Sequence, residues 1–301
     1  MDGTFSAQLS IDFRTGRPTA IHPGNSCAEQ RAACAALNRE RTRGILEATQ
    51  RTPSGQPLSP DDWLASVTGR SKHWDVPLIP LERLGILHDE DGLTSSTLLS
   101  PLTPGAEASP FFDREWSAVY KLFDLRANGS LGKKIDLVPD NEDQFDLLLC
   151  DAVLQDTLEK LSILNEAGAL PTEIVGLSES GDYLLVKQPL AFPRGSFEAD
   201  RKVAIHAVRG VTPLFTGLRR TVVVIWVDNR AWLVSDLHDR NIMRDSDGIP
   251  TIIDALIGPV PPAALKHLQW LREAIEDSQA LREGRQPKIR KQFDDVDNDE
   301  L

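Results

Sequence analysis

Residues 235–254 read SDLHDRNIMRDSDGIPTIID, with aspartates at 236, 239, 245, 247 and 254, one histidine and one asparagine between segments of strand-like character. Asp, Asn and Gly are turn residues, and a loop between strands collects them for that reason alone. The interior of the stretch says more. Asp247-Gly248 is a two-residue turn signal flanked by Asn241-Ile242-Met243 and by Ile249 to Ile253, which predicts a hairpin. Closing that hairpin carries Asn241, ahead of the first strand, towards Asp254 at the end of the second. Asp236 lies five residues before Asn241, at the start of the same loop. One amide oxygen and two carboxylates then share an edge, an all-oxygen set suited to a hard cation such as Mg²⁺.

Composition bounds the remaining possibilities. A chain of 301 residues can bury one sizeable core or two smaller lobes with a cleft between them. With 26% charged and 41% hydrophobic residues it has the balance of an ordinary globular protein. Its net charge of −12 argues against a nucleic-acid-coating role. No apolar run approaches the roughly 18–20 residues that span a bilayer, and MDGTFSAQLSIDFRTG lacks the basic and apolar regions of a signal peptide, so the expectation is a cytoplasmic protein without membrane or nucleic-acid partners. Cys27, Cys34 and Cys150 are odd in number and lack CxxC spacing, which predicts free, mostly buried thiols.

Along the chain, residues 1–95 differ in texture from the remainder: turn-rich patches surround one helical stretch, Ala28 to Ala48, and a second short helix is expected from Ser59, where Pro60-Asp61-Asp62 supplies its first turn. This extension carries no legible function. From residue 96, Trp116 to Phe123 has the content of a strand. Asp143 to Ala167 is expected to be helical, with Asn141 as its cap, Gly168 as its stop, and a buried face at positions 147, 148, 154, 158, 161 and 164. Thr172 to Leu177 and Tyr183 to Val186 read as strands about a turn at Ser180-Gly181-Asp182. After Gln188-Pro189 come a helix around Ala199 to Val208, the β-prone TVVVIWV at 221–227, a turn at Asp228-Asn229-Arg230, the opening loop, and a last helix from about Ala263 to Arg282. Residues 283–301, a basic block and then an acidic end, are expected to be disordered.

A strand lysine, a long helix, a hinge-like VKQPL, then D-x-x-x-x-N and a further Asp after a hairpin together resemble the protein-kinase-like phosphotransferases. The resemblance covers roughly residues 96–280. Its DLHxxN form, Asp236-Leu237-His238 to Asn241, is similar to the aminoglycoside and choline type, and with GDYLLVKQPL it looks most like the polyvalent-protein kinase domain of phages and bacterial mobile elements. The resemblance implies an α+β, bilobal fold with a reduced C-lobe and an N-terminal extension: a kinase-like domain over 96–282, its N-lobe about 96–188 and its C-lobe about 189–282. It also implies ATP and Mg²⁺ as cofactors and a protein or small-molecule hydroxyl as acceptor. Asp236 would be the catalytic base, while Asn241 and Asp254 would hold the metal against the phosphates. Lys121 would contact the α and β phosphates, with Glu159 as its helix partner in competition with Asp151 and Asp156. The backbone at Lys187 and Gln188 would face adenine.

The chain departs from that pattern in several places. No G-x-G-x-x-G precedes Lys121, and Gly105 in PLTPGAEASPFF is the one glycine offering a loop over the phosphates. Val234-Ser235 stands before the catalytic Asp, and Ala255-Leu256 comes directly after the metal Asp. Only 47 residues lie beyond Asp254, too few for a long activation segment with a full helical lobe. A nucleotide-binding or protein-interaction module of pseudokinase type is therefore the alternative to catalysis. A His/Asp metal hydrolase built on His238, Asp236 and Asp239 would need a second ligand cluster, and His22, His73, His88, His206 and His267 show no metal-like spacing. His238 is expected instead to prop the loop, with Asp239, Asp245 and Asp247 as turn and surface residues.

Overall fold

The structure, a computed structural model, describes residues 10–12, 17–50, 78–89, 92–95, 98–105, 107–126, 129–141, 144–193 and 195–288. The helix expected from Ser59 and the tail beyond residue 288 lie outside these residues. The fold is mixed α+β. In chain order the elements are strands β1 (Ser10–Asp12) and β2 (Arg17–Thr19), helix α1 (Cys27–Gln50), β3 (Leu78–Ile79), a 3-10 turn at Leu81–Leu84, β4 (Ile86–Asp89), β5 (Gly92–Ser95), β6 (Ser100–Pro101), β7 (Ser109–Asp113), β8 (Ala118–Asp124), β9 (Lys133–Asn141) and β10 (Gln144–Asp151). Next come helix α2 (Leu154–Ala167), β11 (Glu173–Ser178), β12 (Tyr183–Pro189), α3 (Phe197–Ala207), β13 (Val223–Val227), β14 (Arg230–Ser235), β15 (Ile242–Arg244), β16 (Pro250–Ile252), β17 (Leu256–Pro259), α4 (Ala264–His267) and α5 (Gln269–Arg282).

A six-stranded sheet of order β3-β11-β12-β8-β7-β6 forms the first body. All its pairings are antiparallel except the edge pair of β11 with β3. Alternation along β8 and β12 sends Phe123, Leu184 and Val186 to one face, where they pack against Leu158 and Leu161 of α2 and Ile45 of α1. Tyr120, Leu122 and Leu185 go to the other face, beneath Ile79, Leu84, Ile86 and Leu99. The second body is the three-stranded sheet β13-β14-β17 with the hairpin β15-β16 beside it. One face buries Ile225, Trp232 and Ile257 with Ile163 and Leu164 of α2 and Ala204 of α3. The opposite face buries Val224, Leu233 and Leu256 between the β9-β10 hairpin and α5. Helix α2 thus contributes side chains to the cores of both bodies.

Several expectations need correction. Residues 144–151 are the strand β10, paired with β9, and the helix begins only at Leu154. The leucines at 147, 154, 158, 161 and 164 match helical spacing, but Leu147 packs with Ile135 and Leu137 while Leu148 and Leu149 stay exposed. Asn141 ends β9, and the α2 start is held by Asp156, whose carboxylate accepts the Val153 N–H at 3.0 Å. Gly168 does end the helix, at φ 116°, its N–H donating to the carbonyls of Leu164 and Asn165. The expected last helix is two, broken at Leu268.

The boundary drawn at residue 95 marks a change of sequence texture and not a break in packing. β3 joins the main sheet, and α1 lies against α2 and β11. A buried polar network ties them further. Glu173 accepts from Arg41 at 2.8 Å, from the Thr19 hydroxyl at 2.7 Å and from the Ala20 N–H at 2.9 Å. Lys187 donates to Asp12 at 3.0 Å, and Tyr120 donates to the same carboxylate at 2.8 Å. The cysteines are free, with Cys27 and Cys34 buried. Among the described residues no helix is long and apolar enough to cross a membrane.

Candidate functional site

β14 ends at Ser235, which pairs with Leu256 of β17, so Asp236 and Asp254 leave the same end of one ladder. Between them runs the β15-β16 hairpin, registered Ile242 to Ile252 and Arg244 to Pro250. Its loop is longer than two residues: the Asp245 carboxylate accepts the N–H groups of Asp247 and Ile249, and Gly248 takes φ 76°. Asp245 is buried, contrary to its reading as a surface residue. The Asn241 carbonyl accepts the Ile253 N–H at 3.0 Å, which closes the hairpin beside Asp254. Asn241 Nδ2 donates to the main-chain oxygen of Asp236 at 2.8 Å and reaches its Oδ2 at 3.4 Å. The amide nitrogen is thereby engaged, and Oδ1 is left as the acceptor end. His238 Nδ1 accepts the Arg240 N–H at 3.0 Å, the propping role expected of it.

Asp254 faces a small cavity of about 20 Å³, lined among others by Lys121, Lys160, Thr172, Gln188 and Ile253. Burial raises the Asp254 pKa, but the charges of Lys160 and Lys121 and hydrogen bonds from Lys160 and the Ala255 N–H outweigh it, so the carboxyl lies below its ordinary value. Lys160 Nζ stands 3.3 Å from Asp254 Oδ1 and also pairs with Glu107. Burial lowers the pKa of this lysine, yet the two carboxylates more than compensate and hold it above its ordinary value. Lys121 and Asp254 thus line one cavity.

Other expectations fare differently. Glu159 turns away from Lys121 and meets Arg230 at 3.4 Å, while burial raises its pKa. Successive helical residues lie about 100° apart, so Lys160 takes the cavity face that Glu159 cannot. Asp156 engages Lys134 at 3.3 Å, and Asp151 pairs with Lys133, so neither competing acid is positioned for Lys121. The Lys187 side chain is buried on the opposite face of β12, its ammonium 4.0 Å from the Trp116 ring centroid. Gln188 does face the cavity, donating to Thr172 Oγ1 at 2.7 Å and to the Ile253 carbonyl at 3.3 Å. Gly105 is exposed, its N–H turned back to the Ala108 carbonyl at 3.2 Å, and Glu107 is the loop residue that reaches inward.

Lys160 and Glu107 are the residues that sequence reasoning missed. Lys160 had a signal: it falls in the apolar stripe Thr157, Leu161 and Leu164, where a lysine needs a buried partner. Glu107 had none beyond its closeness to Gly105. A further group, Cys27 with Asp245 and Asp247, brings ligand atoms within 4.8 Å of one another. Burial pushes the Cys27 thiol up against the opposing effect of its hydrogen bond with Ser246. Comparison of the chain with family models, with curated proteins and with solved structures gives no match.

Proposed function

We propose that the chain is an ATP- and Mg²⁺-dependent phosphotransferase of bilobal, kinase-like organisation, moving the γ-phosphate to a hydroxyl of a protein or small molecule. The observation that carries this reading is the meeting of Asp236, Asn241 and Asp254 at one ladder end, with Asp254 also lining a cavity that Lys121 shares. The donor set fits the metal: a depressed carboxylate and an amide oxygen whose nitrogen is already engaged are hard oxygen ligands. Asn241 and Asp254 would hold Mg²⁺, which when bound neutralises charge on the phosphates. Asp236, off the metal pair and half-exposed, would orient the acceptor hydroxyl and take its proton. Lys121 would neutralise phosphate oxygens from the strand side.

A binding module without transfer is the second reading, favoured by the exposed, outward-bonded Gly105 turn where a phosphate-cradling loop would lie. The transfer reading requires nucleotide binding, as does the nucleotide-binding form of the second, and a ligand that binds only the folded state raises its melting temperature. Thermal-shift titration with ATP and Mg²⁺ is expected to stabilise the protein at millimolar nucleotide, and Asp254→Ala is expected to abolish the metal-dependent part. An unmoved wild type would remove the proposal's support. Transfer of labelled γ-phosphate then separates the two readings.

A further inference from the structure

The Glu107 carboxylate sits in surroundings that suit an anion better than they suit a loop side chain. One oxygen pairs with the Lys160 ammonium, which is only 5% exposed. The other accepts the Lys133 main-chain N–H at 3.2 Å. Beneath it is Gly132 at φ 87°, where an added Cβ would stand 2.6 Å from the Glu107 carboxyl carbon. A buried ammonium, a main-chain N–H and a glycine that permits close approach are the components with which proteins cradle phosphate oxygens. The same ammonium touches Asp254, so this cradle adjoins the proposed metal position.

Charge makes the same point. Lys160 serves two carboxylates, and Asp254 is also acted on by Lys121. Any anion at the Glu107 position would keep the buried ammonium neutralised, whereas vacating it would leave Lys160 to Asp254 alone. The loop that brings Glu107 in returns on itself through two main-chain bonds, Leu102 N–H to Pro110 and Gly105 N–H to Ala108. Neither passes through the Glu107 side chain, so the carboxylate can leave while that turn stays closed.

We propose that Glu107 is an internal phosphate mimic: its carboxylate fills a phosphate subsite formed by Lys160, the Lys133 N–H and Gly132, and nucleotide must displace it to bind. This assignment rests on the phosphotransferase reading for its nucleotide and on the cradle geometry for its anion. The test is calorimetric titration of wild type, Glu107→Gln and Glu107→Gln/Lys160→Met with inorganic pyrophosphate and, separately, with ATP and Mg²⁺. Glu107→Gln is expected to bind pyrophosphate roughly tenfold tighter or more, because the competing anion is gone, and the double variant is expected to lose that gain. Glu107→Asp, which keeps the charge on a shorter arm, is expected to fall between and provides the comparison if the Gln variant does not fold. ATP binding by wild type with no gain in either Glu107 variant would overturn the mimic and leave the phosphotransferase reading standing. Pyrophosphate binding that tightens in Glu107→Gln without ATP binding would uphold the subsite and remove the nucleotide. A gain that survives loss of Lys160 would also overturn the assignment.

Discussion

Asp236 occupies φ 64°, in the left-handed region that most side chains avoid and that Asp and Asn tolerate. The conformation turns the chain out of β14 and aims its carboxylate back over the loop towards Asn241. Asn fits that backbone as well as Asp does, so Asp236→Asn isolates chemistry from folding. Phosphotransfer in this variant is expected to fall by about 10² to 10⁴, the usual loss for a positioned base, with nucleotide affinity little changed. Calorimetry and transfer measured on one folded preparation check both halves. Unimpaired transfer would show that Asp236 is not the base, and a matching loss of affinity would make it a metal ligand. That Asp236, Asn241 and Asp254 lie near one ladder end was legible in the sequence because turn chemistry and strand pairing are local. Lys160 and Glu107 were not, since a contact 53 residues apart depends on packing that no local pattern encodes.

At the scale of elements, the β9-β10 hairpin takes up residues 144–151, which were expected to open helix α2. It covers the outer face of the second sheet, and β17 lies so close to β9 that a Cβ on Gly258 would stand 1.7 Å from the Ile135 carbonyl oxygen. That obstacle is main chain, which cannot rotate away. Gly258→Ala is therefore expected to destabilise the fold by about 3 kcal/mol, the upper range for overpacking, read as a lowered denaturant midpoint. The pairing was hidden in the sequence because Gln144 to Asp151 carries leucines at positions that continue the α2 stripe, and because β9, rich in Lys and Asp, reads poorly as a partner. The C-terminal end of helix α2, its glycine stop and the strands β8, β11, β12 and β13 were legible to within a few residues, since each has its own periodicity and its own terminator.

For the whole molecule, the described residues ahead of 95 belong to the body that carries Lys121. Arg41 and Glu173 are both buried, as are Asp12 and Lys187. Breaking a buried pair by removing one partner costs on the order of 3–5 kcal/mol, comparable to much of a domain's net stability. A variant lacking residues 1–95 loses Asp12, Thr19 and Arg41 at once, along with the helix that covers β11. It is expected to show no cooperative melting transition by circular dichroism, whereas a sharp transition would restore 96–282 as an independent unit. The same stitching bears on synthesis. Lys187 lies 175 residues after Asp12, and at about 5–20 residues per second a ribosome takes roughly 10–35 s to make the second after the first. During that interval Ile45, buried at the end beside Leu184 and Val186 of β12, lacks that cover. Residues 10–50 thus complete their packing only after β12 has been made.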